Sequence, residues 1–245
     1  MKAAIYREKI GLVVEEVPVP RPADDQVLIK VINTGFCGSD HSLIETGGLA
    51  DRTILGHETS GIVVDKGAQV DSSYLDNQVI IRPTFCGECP DCKKGKPYLC
   101  LNDRRSIGIG DLPGAFAEYF VAYPQMLIPI PDKVDFPNAA LAEAFSASLH
   151  GINQSHQQGG SALVMGGGPI GLAAIKLLKI KGFGPVILSE PLEERRKLAL
   201  TLGADAVVDP FNDNLGAVSF ELTQGQGIDS VFECSGAPNA VKDAM

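Results

Sequence analysis

A glycine-rich turn constrains the fold of this chain more than any other sequence feature. Gly166, Gly168 and Gly171 form the pattern G-x-G-x-x-G, between the apolar run Ala162–Met165 and the helix-like stretch Ile170–Lys181. In such a strand–turn–helix unit the first glycine permits the tight turn, the second lets a pyrophosphate approach, and the third lets the helix pack closely. The helix N-terminus offers free N–H groups to the phosphates. The residues predicted to bind a dinucleotide are Gly166, Gly168, Pro169, Ile170 and Gly171.

Strand-like and helix-like segments alternate after this turn. Pro185–Ser189, Ala206–Val208 and Ser230–Glu233 are typical of strands, while Leu192–Leu202 and Leu215–Thr223 are typical of helices. This alternation predicts an α/β domain with a parallel sheet and helices on both faces. A glycine-rich turn that binds no ligand is the alternative for such a domain.

An acidic residue stands where a dinucleotide site needs one. Glu190 ends the second strand, 19 residues after Gly171. A carboxylate near this spacing accepts the adenosine ribose hydroxyls and repels a 2′-phosphate, so NAD is favoured over NADP. The alternative for Glu190 is a solvated charge at a helix start. Arg195 either stacks over the adenine of the dinucleotide or is a solvent-exposed residue of its helix.

The first part of the chain, to about Pro131, has a different pattern of apolar and turn-forming residues. Short runs rich in valine and isoleucine are separated by Gly, Pro and Asp, which predicts an all-β body with long loops. The predicted strands are Ala3–Ile5, Gly11–Val17, Gln26–Thr34, Gly61–Asp65, Gln78–Ile81 and Phe116–Ala122. We therefore expect two domains, residues 1–135 and 136–245, the second opening with a helix over Asn138–His150.

Four cysteines are clustered in the β-rich part. Cys86, Cys89, Cys92 and Cys100 have the spacing C-x2-C-x2-C-x7-C. Four thiolates so close together satisfy a closed tetrahedral zinc site with no open position, which indicates a structural metal. An iron–sulfur cluster is the alternative for these four residues.

Composition excludes several kinds of partner. The formal charge of -9 and the pI of about 4.9 oppose binding to a phosphate backbone, so no nucleic-acid partner is expected. The segment Met1–Ile10 has no signal-peptide pattern, and the most apolar stretch, Ala162–Leu178, is too interrupted to span a bilayer. We expect a cytoplasmic protein whose six cysteines are reduced or bound to metal.

Five motifs together resemble a known family. Alone, Cys37 is typical of a buried small residue and His57 of a hydrogen-bonded loop histidine. The motifs are CGSD at Cys37–Asp40, GHETSG at Gly56–Gly61, the four-cysteine cluster, FAEY at Phe116–Tyr119 and GGGPIG at Gly166–Gly171. In this order they resemble the medium-chain, zinc-dependent alcohol dehydrogenases, most of all the sorbitol, threonine and butanediol dehydrogenase branch. The resemblance covers nearly the whole chain.

The resemblance implies a second, catalytic zinc. Cys37 and His57 match the family's catalytic ligands, and Glu58 matches a glutamate that ligates the metal or lies just behind it. Glu143 matches the glutamate that the polyol branch uses where classical alcohol dehydrogenases have a cysteine. Such mixed sulfur, nitrogen and oxygen donors suit a catalytic zinc with an open position. A helix-surface acid is the alternative for Glu143.

The resemblance also implies the reaction. Ser39 matches the hydroxyl that contacts the reacting oxygen and starts a proton relay, and Asp40 matches an acid that orients His57. The alternative for Asp40 is a plain turn residue or helix cap, and the alternative for Ser39 is a helix cap. The implied activity is hydride transfer from a secondary alcohol or polyol to NAD, with one catalytic and one structural zinc and no membrane partner.

The implied architecture is a GroES-like β-rich catalytic domain followed by a Rossmann domain. A complete domain of the second type has six strands, and four are counted before Met245, so we expect a truncated domain. A homo-oligomer, dimer or tetramer, is expected where the last strands are present. The rival interpretations are a relative that reduces ketones or quinones without a catalytic zinc, a non-catalytic remnant that keeps the structural zinc, and a zinc-ribbon nucleic-acid module.

Metal content distinguishes these interpretations. We expect two zinc ions per chain in the purified protein, because two independent ligand sets are present. Metal analysis by mass spectrometry against protein concentration checks this. One zinc per chain would favour the relative that lacks a catalytic zinc, or the remnant.

Overall fold

The computed structural model describes residues 1–243, and the chain divides into two compact units between Glu143 and Ala144. Within the described residues, no helix has the length and apolar character that a bilayer crossing requires.

Antiparallel sheets form most of the first unit. Strands β1 and β2 form a hairpin, and the other five form a sheet in the order β6-β3-β4-β5-β7. The strands are β1 (Lys2–Arg7), β2 (Gly11–Glu16), β3 (Val27–Gly35), β4 (Glu58–Lys66), β5 (Gln78–Ile81), β6 (Tyr119–Ala122) and β7 (Leu127–Pro129). The helices are α1 (Gly38–Thr46), α2 (Pro90–Lys93) and α3 (Phe136–Ala140). Buried apolar residues from the sheet and its loops form one core, with Phe120 and Met126 among the largest.

Several boundaries in this unit differ from the sequence-based expectation. The predicted strand Gly61–Asp65 begins earlier, at Glu58, so part of the GHETSG motif belongs to the sheet. The predicted strand Phe116–Ala122 begins only at Tyr119, because the residues before it pair elsewhere: the Ala4 N–H donates to the Phe116 carbonyl. Helix α1 and the three-residue strand β7 were not predicted.

A parallel sheet forms the centre of the second unit. Its strands are β8 (Gly160–Met165), β9 (Phe183–Ser189), β10 (Ala206–Val208) and β11 (Ser230–Glu233), in the order β10-β9-β8-β11. Its helices are α4 (Ala142–Gln154), which starts just before the division between the units, α5 (Pro169–Ile180), α6 (Glu193–Leu202), α7 (Leu215–Leu222) and α8 (Ala240–Asp243). The predicted α/β architecture with four parallel strands is confirmed.

The predicted helix Asn138–His150 is two helices instead of one. The Asp135 carboxylate caps α3 by accepting from the Asn138 N–H, so this helix starts earlier than expected. Leu141 then ends α3, its N–H donating to the carbonyl of Asn138, and α4 begins at Ala142. The sequence does not indicate this break, because Leu141 and the alanines on both sides of it favour helix.

The two central strands are buried along almost their whole length, as expected for parallel strands covered on both faces. Helix α5 packs on this sheet with Ile175 and Leu178, both inaccessible to solvent. Because α5 starts directly after the glycine-rich turn, this packing fixes the position of the turn at the carboxyl end of β8.

Replacing a core side chain of α5 tests this support. We expect Leu178→Ala to lower the free energy of unfolding by about 2–5 kcal/mol, because the packed interior cannot fully close the cavity. Leu198→Ala, on the exposed side of α6, is the matched control and should change it by less than about 0.5 kcal/mol. Urea denaturation followed by circular dichroism measures both. Equal effects would contradict the role of α5 in the core.

Candidate metal and cofactor sites

Three residues from the CGSD and GHETSG motifs meet at one point in the first unit. Cys37 is the N-cap of α1, His57 directly precedes β4, and Glu58 is the first residue of β4. One ligand atom from each lies within 4.8 Å of the other two. The Cys37 N–H donates to the Asp40 carboxylate at 3.0 Å, which satisfies a free donor at the helix start and fixes the cysteine backbone.

Asp40 also faces the imidazole of His57. Its side chain is completely buried, and its Oδ1 lies 3.5 Å from Nδ1 of His57. Neither atom has a hydrogen-bond partner in the described part of the chain, so each depends on the other. The Asp40 carboxylate raises the pKa of His57 above its ordinary value. A carboxylate in this position fixes ring orientation and leaves Nε2, 3.4 Å from Ser39 Oγ, for chemistry.

Burial shapes the two acidic groups of the site. Glu58 is only 8% exposed, and burial raises the pKa of its carboxyl, an effect that its contact with the Cys37 thiol partly offsets. Burial likewise raises the pKa of the Cys37 thiol. The carboxylate of Asp40 lies buried nearby. A bound cation would stabilise such a group of buried acids.

Glu143 takes a more peripheral place. It lies exposed in the first turn of α4 and is not part of the 4.8 Å group. Its charge nevertheless raises the pKa of both His57 and Glu58, which places it within electrostatic range of the two side chains.

Close backbone contacts hold the segment that leads to His57. The N–H groups of Ala115 and Phe116 donate to the carbonyls of Gly56 and Leu55, each at 2.9 Å. Gly56 has φ +99°, and a Cβ on it would lie 2.6 Å from Cδ1 of Phe116. Only glycine therefore fits at this position, for its dihedral angle and for its contact.

Phe116 connects this segment to the cysteine side of the site. Its ring stacks on that of Phe36, with centroids 5.9 Å apart and planes 13° from parallel. Phe36 directly precedes Cys37. The FAEY motif thus acquires a supporting role that its sequence did not indicate, because the contact joins residues far apart in the chain.

The four cysteines form a second candidate site. Their Sγ atoms all lie within 4.8 Å of one another, with Cys86 3.9 Å from Cys92 and 3.5 Å from Cys100. Four sulfurs around a tetrahedral zinc with bonds of about 2.3 Å lie about 3.8 Å apart, so the spacing fits that ion. Backbone N–H groups, first that of Asp103, lower the pKa of Cys100 to about 6, while burial raises the pKa of Cys92 to about 12.

A short antiparallel bridge closes the base of this cysteine cluster. The N–H groups and carbonyls of Thr84 and Arg105 pair reciprocally at 3.0 and 3.1 Å. The Arg105 guanidinium binds the carboxylates of Asp103 and Asp111 and lies over the ring of Tyr123. The bridge keeps the two ends of the cysteine segment together.

The glycine-rich turn joins β8 to α5, in the strand–turn–helix order that the sequence predicts. Gly166 follows β8 with φ +98°, and Gly168 is the N-cap of α5, whose first residues are Pro169 and Ile170. A Cβ on Gly171 would overlap the carbonyl oxygen of Gly166 and lie 3.3 Å from Val164 Cγ1. This close helix–strand approach is the reason for the third glycine.

Glu190 is part of the turn and is not a solvated charge. It is 2% exposed, and its carboxylate accepts the Gly167 N–H at 2.6 Å and the Leu192 N–H at 2.9 Å. Nη1 of Arg195, a half-exposed side chain, lies 3.9 Å from it. Gly167 was not singled out from the sequence, yet a Cβ there would lie 3.0 Å from Cγ of Glu190. The third consecutive glycine in GGG was the available signal.

Two family models match this chain. Residues 23–132 match the alcohol dehydrogenase GroES-like domain, and residues 169–245 match the zinc-binding dehydrogenase model.

Curated relatives and solved structures are similar over almost the whole chain. L-threonine 3-dehydrogenase of Pyrococcus furiosus is 35% identical over 98% of this chain and 70% of its own length. Sorbitol dehydrogenase of Bacillus subtilis is 32% identical over 100% of this chain and 71% of its own. The structure of the short chain alcohol dehydrogenase rspB of Escherichia coli CFT073, complexed with NADH, has a TM-score of 0.86 at 29% identity, over 100% and 72% of the two chains.

Two glycines of the turn should respond differently to alanine. Gly171→Ala should destabilise the second unit and lower its affinity for NAD, because the new methyl group overlaps backbone. Gly168→Ala should lower the free energy of unfolding by no more than about 1 kcal/mol, because alanine is a poorer N-cap than glycine but a Cβ there meets nothing within 4 Å. Thermal unfolding and calorimetric titration with NAD measure the two effects. Identical unfolding of the two variants would contradict the close approach of α5 to β8.

Proposed function

Because this chain belongs to the zinc-dependent alcohol dehydrogenase family, we propose that it oxidises a secondary alcohol or polyol, with NAD as hydride acceptor. The observation that carries the proposal is the meeting of Cys37, His57 and Glu58 within 4.8 Å, with Asp40 buried behind the imidazole. Two separate segments supply these side chains, Cys37 from the start of α1 and the adjacent pair His57 and Glu58 from the start of β4.

The donor set fits a catalytic zinc. Cys37, His57 and Glu58 would hold the ion through sulfur, nitrogen and oxygen, the mixture that catalytic zinc sites use. Glu143 is included in the proposed site because its charge acts on both His57 and Glu58. A zinc ion held there would supply Lewis-acid chemistry, which lowers the pKa of a substrate hydroxyl.

Ser39 is proposed as the proton acceptor at the substrate. Its Oγ lies 3.4 Å from Nε2 of His57, so the hydroxyl is at the edge of the ligand group. It would accept the proton from the substrate hydroxyl and pass it towards solvent. Asp40 would keep the imidazole in one orientation throughout, since its own carboxylate is anchored by the Cys37 N–H.

The second unit is proposed to hold the cofactor. The turn Gly166–Gly171 offers backbone N–H groups to the pyrophosphate, and Glu190 offers its carboxylate to the adenosine ribose. NAD would supply the nicotinamide that accepts the hydride. Because the carboxylate of Glu190 is already held by two N–H groups, it is placed to repel a 2′-phosphate and favour NAD over NADP.

The four-cysteine site is proposed to hold a structural zinc. It offers four thiols and no general base, and the bridge at Thr84 and Arg105 confines it to one segment. Loss of this ion would affect the integrity of residues 84–105 first and the reaction only indirectly.

Removal of one catalytic ligand tests the assignment. We expect Cys37→Ala to bind one zinc per chain, keep its fold, and lose at least about 10³-fold in kcat, because several kcal/mol of transition-state stabilisation are lost. The measurements are zinc content, circular dichroism and NADH formation with sorbitol, other polyols and L-threonine.

His41→Ala is the matched control, since His41 is exposed on the same helix and lies outside the ligand group. It should keep both ions and full turnover. Full activity of Cys37→Ala would overturn the catalytic site. A wild-type protein that binds two zinc ions and NAD but oxidises none of these substrates would favour the non-catalytic binding protein.

A further inference from the structure

Gly35 is the cross-strand neighbour of Glu58. It is the last residue of β3, and the two residues are register partners at the end of the antiparallel pair β3–β4. Directly opposed side chains in such a pair lie about 4.5–5.5 Å apart at Cβ, so each lies within reach of the other. At this position only one of the two partners has a side chain.

The glutamate occupies the space that a side chain on Gly35 would need. An ideal Cβ on Gly35 would overlap Oε2 of Glu58 and would lie 3.2 and 3.3 Å from its Cβ and Cδ. Gly35 is not among the residues with positive φ, so its backbone would accept any L-residue. The requirement for glycine at this position is therefore the carboxylate and not the dihedral angle.

The same contact directs the carboxylate towards the ligand group. Glu58 is folded over the bare backbone of β3 and contacts the thiol of Cys37, two residues beyond Gly35. Burial on one side and strand β3 on the other leave the side chain little freedom. The absence of a side chain on Gly35 thus lets the Glu58 carboxylate lie against β3 and face the Cys37 thiol.

We propose that Gly35 is a positioning residue of the candidate metal site: its missing side chain is what allows the Glu58 carboxylate to join Cys37 and His57. This inference rests on the proposed function and concerns the ligand geometry within it. In this proposal Gly35 acts only through Glu58.

A double-mutant cycle tests the coupling. The variants are Gly35→Ala, Glu58→Ala and the double variant, and the readout is the affinity of the second metal site for Co²⁺, measured by competition with a chromogenic chelator. Gly38→Ala is the matched control, because a Cβ on Gly38, three residues further along, meets nothing within 4 Å. The cysteine site serves as internal reference, since it is distant in sequence and should keep its ion in every variant.

We expect Gly35→Ala to weaken the second site by about 10–100-fold, the range seen when a group that supports a metal ligand is changed. Gly38→Ala should bind as the wild type does. In the Glu58→Ala background, Gly35→Ala should have no further effect, because the carboxylate it displaces is already absent. The Co²⁺ absorption of Gly35→Ala should resemble that of Glu58→Ala.

Three results would overturn the inference. Gly35→Ala could bind the second metal as tightly as Gly38→Ala, which would show that the carboxylate does not depend on the glycine. Additive losses in the double variant would show that Gly35 acts by another route. A wild-type chain that binds only one metal would remove the proposed function and this inference with it, whereas the first two results leave the proposed function standing.

Discussion

Close contact between a glutamate carboxylate and a glycine backbone occurs at two of the three candidate sites, the Cys37, His57 and Glu58 group and the glycine-rich turn. Glu58 lies over Gly35 between two antiparallel strands, and Glu190 accepts the N–H of Gly167 in the dinucleotide turn. A carboxylate is costly to bury unless its partners are fixed in advance. Glycine serves the two acids differently: Gly35 leaves room for the Glu58 carboxylate, and Gly167 donates its N–H to that of Glu190.

The buried carboxylate of Asp40 has two roles in the first unit. One oxygen of its carboxylate accepts the N–H of Cys37, and the other faces Nδ1 of His57. One buried carboxylate thus joins the first turn of α1 to the loop before β4, and it couples two ligands of different chemistry. A cation between these groups would offset the concentration of negative charge, and this electrostatic requirement links the fold of the first unit to its proposed metal.

The sequence predicted architecture better than contacts. The parallel sheet was predicted because apolar strands and helices alternate with clear punctuation, and Gln78–Ile81, Ala206–Val208 and Ser230–Glu233 agree with the structure to the residue. Helix α1 was missed because the sequence GSDHSLIET has weak helical character, and its stability depends on the capping contact of Asp40. The residues of the site were indicated by motif, but the roles of Gly35, Phe116 and Gly167 depend on contacts between segments distant in sequence.

His57 and Glu58 are adjacent in sequence, yet their ligand atoms lie on the same side of the chain. Successive side chains of a strand point to opposite faces, so two neighbours in regular β-structure cannot converge on one point. Here the ligand atoms of both lie within 4.8 Å because only Glu58 belongs to β4. The residue before them, Gly56, has φ +99° and its carbonyl accepts the Ala115 N–H, so the backbone departs from regular β geometry just before His57. Gly56, with its positive φ just before β4, therefore allows the ligand atoms of the adjacent residues His57 and Glu58 to lie on the same side of the chain.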